Sequence, residues 1–257
     1  MKRSRLPIWI SVGALVFFYL PILILVLNSF NASRFGTGWQ GFSLKWYAQL
    51  LHEPEIWLAA RNSFLVAFGA TALSVVLGTA AAFALHRFAG SRLQRFHYAL
   101  VYMPLVVPEI LMGISLLMAF AATGVRLGLG TIFVAHVTFC VSFVAMTVLA
   151  RLQDFDDAVV EAARDLGAGW GVTFRRVVLP MIAPGIAAGA LLAFTLSIDD
   201  FVITFFVAGP GSTTLPIRIY SMIKFGSPPL INALSTILLF VTFTAVILSQ
   251  RISSPRR

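Results

Sequence analysis

Apolar residues in this chain come in long blocks separated by short polar stretches. Six blocks are nearly free of charge: residues 8–27, 64–85, 99–121, 130–150, 185–207 and 231–249. About 20 apolar residues in a helix cross the hydrocarbon layer of a bilayer. The pattern therefore predicts an all-α, polytopic membrane protein with six transmembrane helices, forming a single transmembrane domain over 1–257. The first block follows Lys2, Arg3 and Arg5, as the core of a signal peptide would. Its apolar stretch is too long for that role and no A-x-A cleavage site follows, so it reads as an uncleaved helix.

Three of the stretches between the blocks are informative. Residues 31–61 contain FSLKWYAQLL, which reads either as a short interfacial helix with Trp46 and Tyr47 at headgroup depth or as a packed loop carrying aromatics. Residues 208–230 open on Gly-Pro-Gly and hold Pro216, Pro228 and Pro229. Helix cannot run unbroken through them, and a partly re-entrant loop is expected. The third stretch, 151–184, is the most patterned. Its acids lead (Asp154, Asp156, Asp157, Glu161, Asp165) and Arg175 and Arg176 follow, the order that complements a helix dipole. Asp154 or Asp156 can cap the start, and Phe155, Val159, Ala162, Ala163 and Leu166 make one apolar face. Gly167, Gly169 and Gly171 break the helix or allow a tight turn. A second short helix carries Trp170, Phe174 and Val178 at spacings of four, and Pro180 and Pro184 end it. A loop that merely joins two spans needs only a few residues, so this helix–turn–helix reads as a cytoplasmic docking element.

Composition fits a bilayer solvent: 59% of residues are hydrophobic, 11% are charged and the mean hydropathy is +0.90, where soluble domains carry about 25% charge. A net charge of +9 would suggest nucleic acid in a soluble protein. Here the basic residues flank apolar blocks, so the expected partner is membrane lipid and no nucleic acid. Thirteen Lys and Arg fall on the side that holds both termini and the loops 86–98 and 151–184, and six on the other. The positive-inside bias then places both termini and the 151–184 loop in the cytoplasm. The single cysteine, Cys140, cannot form an intrachain disulfide. With His136 it makes too small a set for a metal site, and both are expected to pack in the bundle. There is no paired His, no nucleophile elbow and no G-x-x-x-x-G-K-[ST] stretch. The chain reads as no enzyme, with no catalytic residues, metal or cofactor, and any ATP chemistry must come from another polypeptide.

Three acids fall inside apolar blocks, where each costs about 2.5–3.5 kcal/mol at a helix centre. Asp199 and Asp200 lie in Ser197-Ile-Asp-Asp-Phe201. Adjacent helical positions point about 100° apart, so one is assigned to a pathway and the other to a cap or hydrogen bond. The competing reading makes both of them anchors bonded to Ser197, Thr195 or Thr204. Glu109 follows Pro104 and Pro108. Either it complements the positive end of a helix restarted at Pro108, or a broken helix exposes it to a translocation path. Phe194, Phe201, Phe205 and Phe206 flank the Asp pair, where they can offer cation–π contacts or simply face lipid and core. Gly185 and Gly189 form a G-x-x-x-G that suits a close helix contact.

Glu161-Ala162-Ala163, three residues, Gly167, nine residues, Val177, one residue and Leu179-Pro180 together resemble the EAA loop of binding-protein-dependent ABC importer permeases, with Val177 where that pattern has Ile. The resemblance implies a type I ABC importer permease (MetI-like) fold in a bacterial inner membrane. It also implies a coupling helix seated in a groove of an ATPase, with Glu161, Ala162, Ala163, Gly167, Leu179 and Pro180 as ATPase-coupling residues. The implied partners are ABC ATPase subunits as a homodimer, a second permease subunit as a heterodimer, and a periplasmic substrate-binding protein. A narrower likeness runs over nearly the whole chain. Asn28-Ser-Phe-Asn31, FSLKWY at 42–47, PLVVPEI, Gly113-Ile-Ser-Leu-Leu117, SIDDFVITFFVAGPGSTTLPIRIYSM at 197–222 and Asn232-Ala-Leu-Ser resemble spermidine/putrescine permeases of the PotC/PotI type. This implies a polyamine cargo and a substrate pathway past Asp199, Asp200, Glu109 and Phe201. Permeases for ferric iron, thiamine and phosphonates share much of the scaffold and stay as alternatives. The rival from another class is an ion-coupled secondary transporter acting alone. It needs a proton relay or inverted repeats, and no convincing repeat between the halves is visible.

Overall fold

The computed structural model describes residues 6–34, 38–153, 156, 158–226 and 228–253. Lys2, Arg3, Arg5, Asp154, Phe155, Asp157, Arg256 and Arg257 lie outside the described residues. The elements are helices, as the block pattern predicts: α1 (Leu6–Ser29), α2 (Lys45–Leu51), α3 (Pro54–Arg87), α4 (Arg92–Val106), α5 (Glu109–Ala122), α6 (Leu129–Gln153), α7 (Ala158–Asp165), α8 (Trp170–Thr173), α9 (Leu179–Asp199), α10 (Val202–Val207), α11 (Leu215–Phe225) and α12 (Pro228–Ser253). Four helical runs among the described residues are long and apolar enough to cross a membrane, or five if the bent α4–α5 pair counts as one span. The expected sixth, in α12, has a described apolar stretch of Pro229–Thr244, short of that length. The chain divides into two compact units, Leu58–Ile217 and the two ends, Met1–Trp57 with Arg218–Arg257.

In the unit formed by the ends, α1 and α2 both pack on α12. The aromatic stretch after α1 is both a helix and a packed loop. Asn31 Oδ1 accepts from the backbone N–H of Ser33 (3.1 Å) and Gln40 (2.9 Å), and the Trp46 indole N–H donates to the Asn31 carbonyl at 2.8 Å. Leu50 of α2 is buried. An ion pair of 2.6 Å joins Glu55, in the first turn of α3, to Arg218 of α11.

In the larger unit α6 is the central helix. It buries residues all round its circumference, from Thr131 to Leu152, as a helix with no polar face must. The G-x-x-x-G expectation holds. A Cβ on Gly185 would stand 2.9 Å from Arg151 Cβ, and one on Gly189 3.3 Å from Val144 Cα, so α9 lies against the backbone of α6. Gly78 of α3 approaches the same helix, 2.8 Å from Val144 Cβ by the same construction.

Two of the predicted spans are broken rather than straight. The third turns by 110° between α4 and α5. Pro108 excludes the helical region for Val107, and both residues are extended (ψ 127° and 134°). Pro108 takes the cap position, one residue earlier than expected, and its carbonyl accepts from Leu111 and Met112. The fifth span ends at Asp199. Asp200 is extended (φ −61°, ψ 122°) and α10 restarts at Val202. The segment expected to be loop at 208–230 also differs. Pro216, Pro228 and Pro229 sit in the first turns of α11 and α12, where a missing N–H is harmless, so both helices form. The loop 208–214 is pinned: the Asn62 amide donates to the Gly211 and Thr213 carbonyls, and Leu215 N–H donates to Ser63 Oγ.

Candidate functional site

The two helix breaks meet at one cavity of about 540 Å³. α5 packs on α10 so closely that a Cβ on Gly113 would lie 2.7 Å from the Phe206 ring. Glu109, first residue of α5, and Asp199, last residue of α9, both line the cavity and are exposed. Neither carboxylate is ion-paired among the described residues. Phe139 and Phe143 of α6 and Phe201 at the second break supply aromatic wall. The other phenylalanines near the Asp pair do different work: Phe194 packs on Phe68, Phe206 on Gly113, and Phe205 is exposed.

Asp200 shares the cavity rim but its carboxylate is bonded inward. It accepts from Ile203 N–H (3.3 Å), Thr204 N–H (2.8 Å) and Thr204 Oγ1 (2.6 Å), and lies 3.3 Å from His136 Nε2. Its side chain is 5% exposed. A buried carboxylate is tolerable only when so supplied with donors. Of the two roles offered to the Asp pair, Asp200 takes the hydrogen-bonding one. The sequence reading missed His136, assigning it to packing. A lone His in an apolar helix, with Ser197 and Thr204 some 60 residues away, gives no local signal. Cys140, one turn on, does pack: it is buried and its thiol faces the Ala193 carbonyl at 3.5 Å.

The docking element has a different character. Asp156 caps α7, its Oδ1 accepting from Ala158 N–H at 2.9 Å. No residue of α7 is buried. Its inward face shares only Ala163 with the expected one. Val160 and Ala163 turn towards the protein, while Val159, Ala162 and Leu166 are exposed, Leu166 by 89%. Gly167 adopts φ +82°, the left-handed conformation that ends a helix, and Gly169 caps α8. Gly171 lies inside α8 instead of in the turn. Glu161 is exposed and lines a groove with Arg164, Trp170, Phe174 and Val178. Phe174 packs at a tilt on Phe83 of α3, 5.4 Å between centroids.

Pro180 and Pro184 do not end the second helix. Trp170–Asp199 runs as one span of 30 residues. Pro180 has no N–H and crowds the carbonyl four residues back. The chain widens to a π-helical turn at Phe174–Val178, with Leu179 N–H donating to the Phe174 carbonyl, five residues back. Leu179 and Pro180 thus join the docking element to the membrane helix without a hinge loop.

A helical bundle with several apolar spans, two of them broken around a charged cavity, and a patterned polar element between spans, defines a polytopic membrane transport component. A family described as the binding-protein-dependent transport system inner membrane component matches residues 74–257. This chain belongs to that family, and is accordingly a permease component of an ABC transporter and not an enzyme. It is 43% identical over 237 residues to the spermidine/putrescine transport system permease protein PotC of Escherichia coli (strain K12), covering 92% of this chain and 89% of that one. It is 42% identical over 243 residues to the putrescine transport system permease protein PotI of the same strain, covering 92% and 86%. Among solved structures, a chain of a bacterial ABC transporter involved in the import of the acidic polysaccharide alginate superposes with a TM-score of 0.76 at 14% identity, over 99% of both chains. That likeness carries the fold.

Proposed function

We propose that this chain is the polyamine-conducting permease of an ATP-driven importer, acting as one permease domain over its whole length. The observation that carries the cargo is the cavity at the two helix breaks. It offers two carboxylates, Glu109 and Asp199, from two different helices, and an aromatic wall of Phe139, Phe143 and Phe201. A flexible polycation matches both features through charge pairing and cation–π contact. The cavity volume of about 540 Å³ lies in the range of small-molecule sites. The relatives named for spermidine and putrescine support the same cargo. Asp200 belongs to this site as the anchor of the break, and Phe201 as part of its wall.

α7 is the coupling helix. Glu161, Ala162, Ala163 and Gly167 meet an ATPase subunit, the small Ala and Gly residues allowing close backbone approach, and Leu179 and Pro180 pass the motion into α9. The assembly is a pair of ATPases below a heterodimer of this chain and a second permease, with a periplasmic binding protein above. Both termini and α7 face the cytoplasm, by the excess of Lys and Arg on that side. The test is uptake of radiolabelled spermidine into proteoliposomes holding the whole importer. Asp199→Asn and Glu109→Gln should each lower uptake about tenfold while the ATPases remain bound. Unchanged uptake in both would refute the pathway reading.

A further inference from the structure

His136 lies in no motif and lines neither the cavity nor the docking element, yet its buried side chain meets three polar side chains of the larger unit. The residue is 1% exposed, in the first third of α6. Its two ring nitrogens reach the two sides of the α9–α10 break. Nδ1 is 2.7 Å from Ser197 Oγ, in the last turn of α9, and Nε2 is 2.9 Å from Thr204 Oγ1, in α10. Nε2 is also 3.3 Å from Asp200 Oδ2, at the break itself.

The hydrogens of this cluster follow from counting donors. A hydroxyl has one hydrogen, and that of Thr204 goes to Asp200 Oδ2 at 2.6 Å. Thr204 Oγ1 therefore accepts from His136, so Nε2 carries the ring hydrogen. In a neutral ring Nδ1 then accepts from the Ser197 hydroxyl. Ser197, His136, Thr204 and Asp200 form one directed chain in which every side chain is satisfied. Such a chain has a single arrangement and rigidifies whatever it joins.

We propose that His136 is a positioning residue for transport: it staples the end of α9 to the start of α10 and thereby fixes the direction in which Asp199 enters the cavity. Asp199 adjoins Asp200, and no ion pair holds its own carboxylate among the described residues. Its aim is set by the backbone of Asp200, which Thr204 and His136 anchor through the Asp200 side chain. An α-helix continued through 200 would instead rotate the pair by about 100° per residue. The inference rests on Asp199 being a pathway carboxylate, and it adds a role for a residue that never meets cargo.

The test is a double-mutant cycle on spermidine uptake and on ATPase activity stimulated by the loaded binding protein, in the complete reconstituted importer. His136→Phe keeps the ring and removes both bonds. It should lower uptake at least fivefold. In an Asp199→Asn background it should lower uptake less than twofold further, because a carboxylate already lost cannot be misdirected. A role confined to stability gives losses that multiply. His136→Gln, which keeps one donor and one acceptor, should recover at least half of wild-type uptake. If His136→Phe does not assemble, the pair Ser197→Ala and Thr204→Val replaces it in the same cycle. Multiplying losses, or wild-type uptake in every latch variant, would overturn the proposal while leaving the pathway intact. Wild-type uptake in Asp199→Asn would instead refute the pathway reading, and the positioning role with it.

Discussion

Glu161 and Asp200 are both carboxylates in a chain with few of them, and the larger unit treats them in opposite ways. Glu161 sits on a helix with no buried residue, beside exposed Val159, Ala162 and Leu166. Asp200 is buried and meets donors from Ile203, Thr204 and His136. The first region has left its interactions unmade, which suits a surface completed by another chain. The second has completed every interaction internally, which suits a fixed frame for a neighbour that must face a cavity. Between them, the π-helical turn at Phe174–Val178 and the uninterrupted run to Asp199 connect the unfinished surface to the finished frame by one continuous element.

Substitutions can break this contrast at either end. Glu161→Lys should have the largest effect on transport, about a hundredfold loss of ATP-driven uptake with no change in thermal stability of the purified chain. Loss of stability instead would show that α7 supports the fold. Asp200→Ala should do the converse. It leaves the Ile203 and Thr204 N–H groups and the Thr204 hydroxyl without their acceptor, at about 1–3 kcal/mol for such a loss. A clear fall in melting temperature of the assembled complex is expected, and an unchanged melting curve would remove the anchor role. Gly189→Val sharpens the frame side. Its side chain would collide with Val144 of α6, so a fall in melting temperature is expected there too. Leu166→Ala should have the smallest effect, leaving the melting curve unchanged because the side chain is 89% exposed. It should weaken ATPase binding severalfold in a titration.

The sequence carried the helical blocks, the interruption marked by Pro108 and the docking element, because apolar length, missing N–H groups and dipole-ordered charges are local signals. It did not carry their geometry. Pro108 signalled a restart but not a turn of 110°. Pro180 and Pro184 suggested helix ends, whereas widening to a π turn let the helix continue. The face of α7 that meets the protein, Val160 and Ala163, shares only Ala163 with the one that periodicity favoured, since an isolated apolar stripe does not say which partner it serves. The Asp pair was recognised as two roles, but only the fold brings His136 next to Ser197 and Thr204 to decide which residue takes which. The cavity, likewise, exists only because two breaks distant in sequence pack together.

Ala162→Cys in a Cys140→Ala chain gives a single thiol on the exposed face of α7. Its labelling by a membrane-impermeant maleimide, read on this chain in inverted and right-side-out vesicles, tests the coupling role most directly. Labelling in inverted vesicles alone, suppressed when the ATPase subunits are bound, is the predicted result. Labelling in right-side-out vesicles, or labelling indifferent to the ATPase, would contradict it.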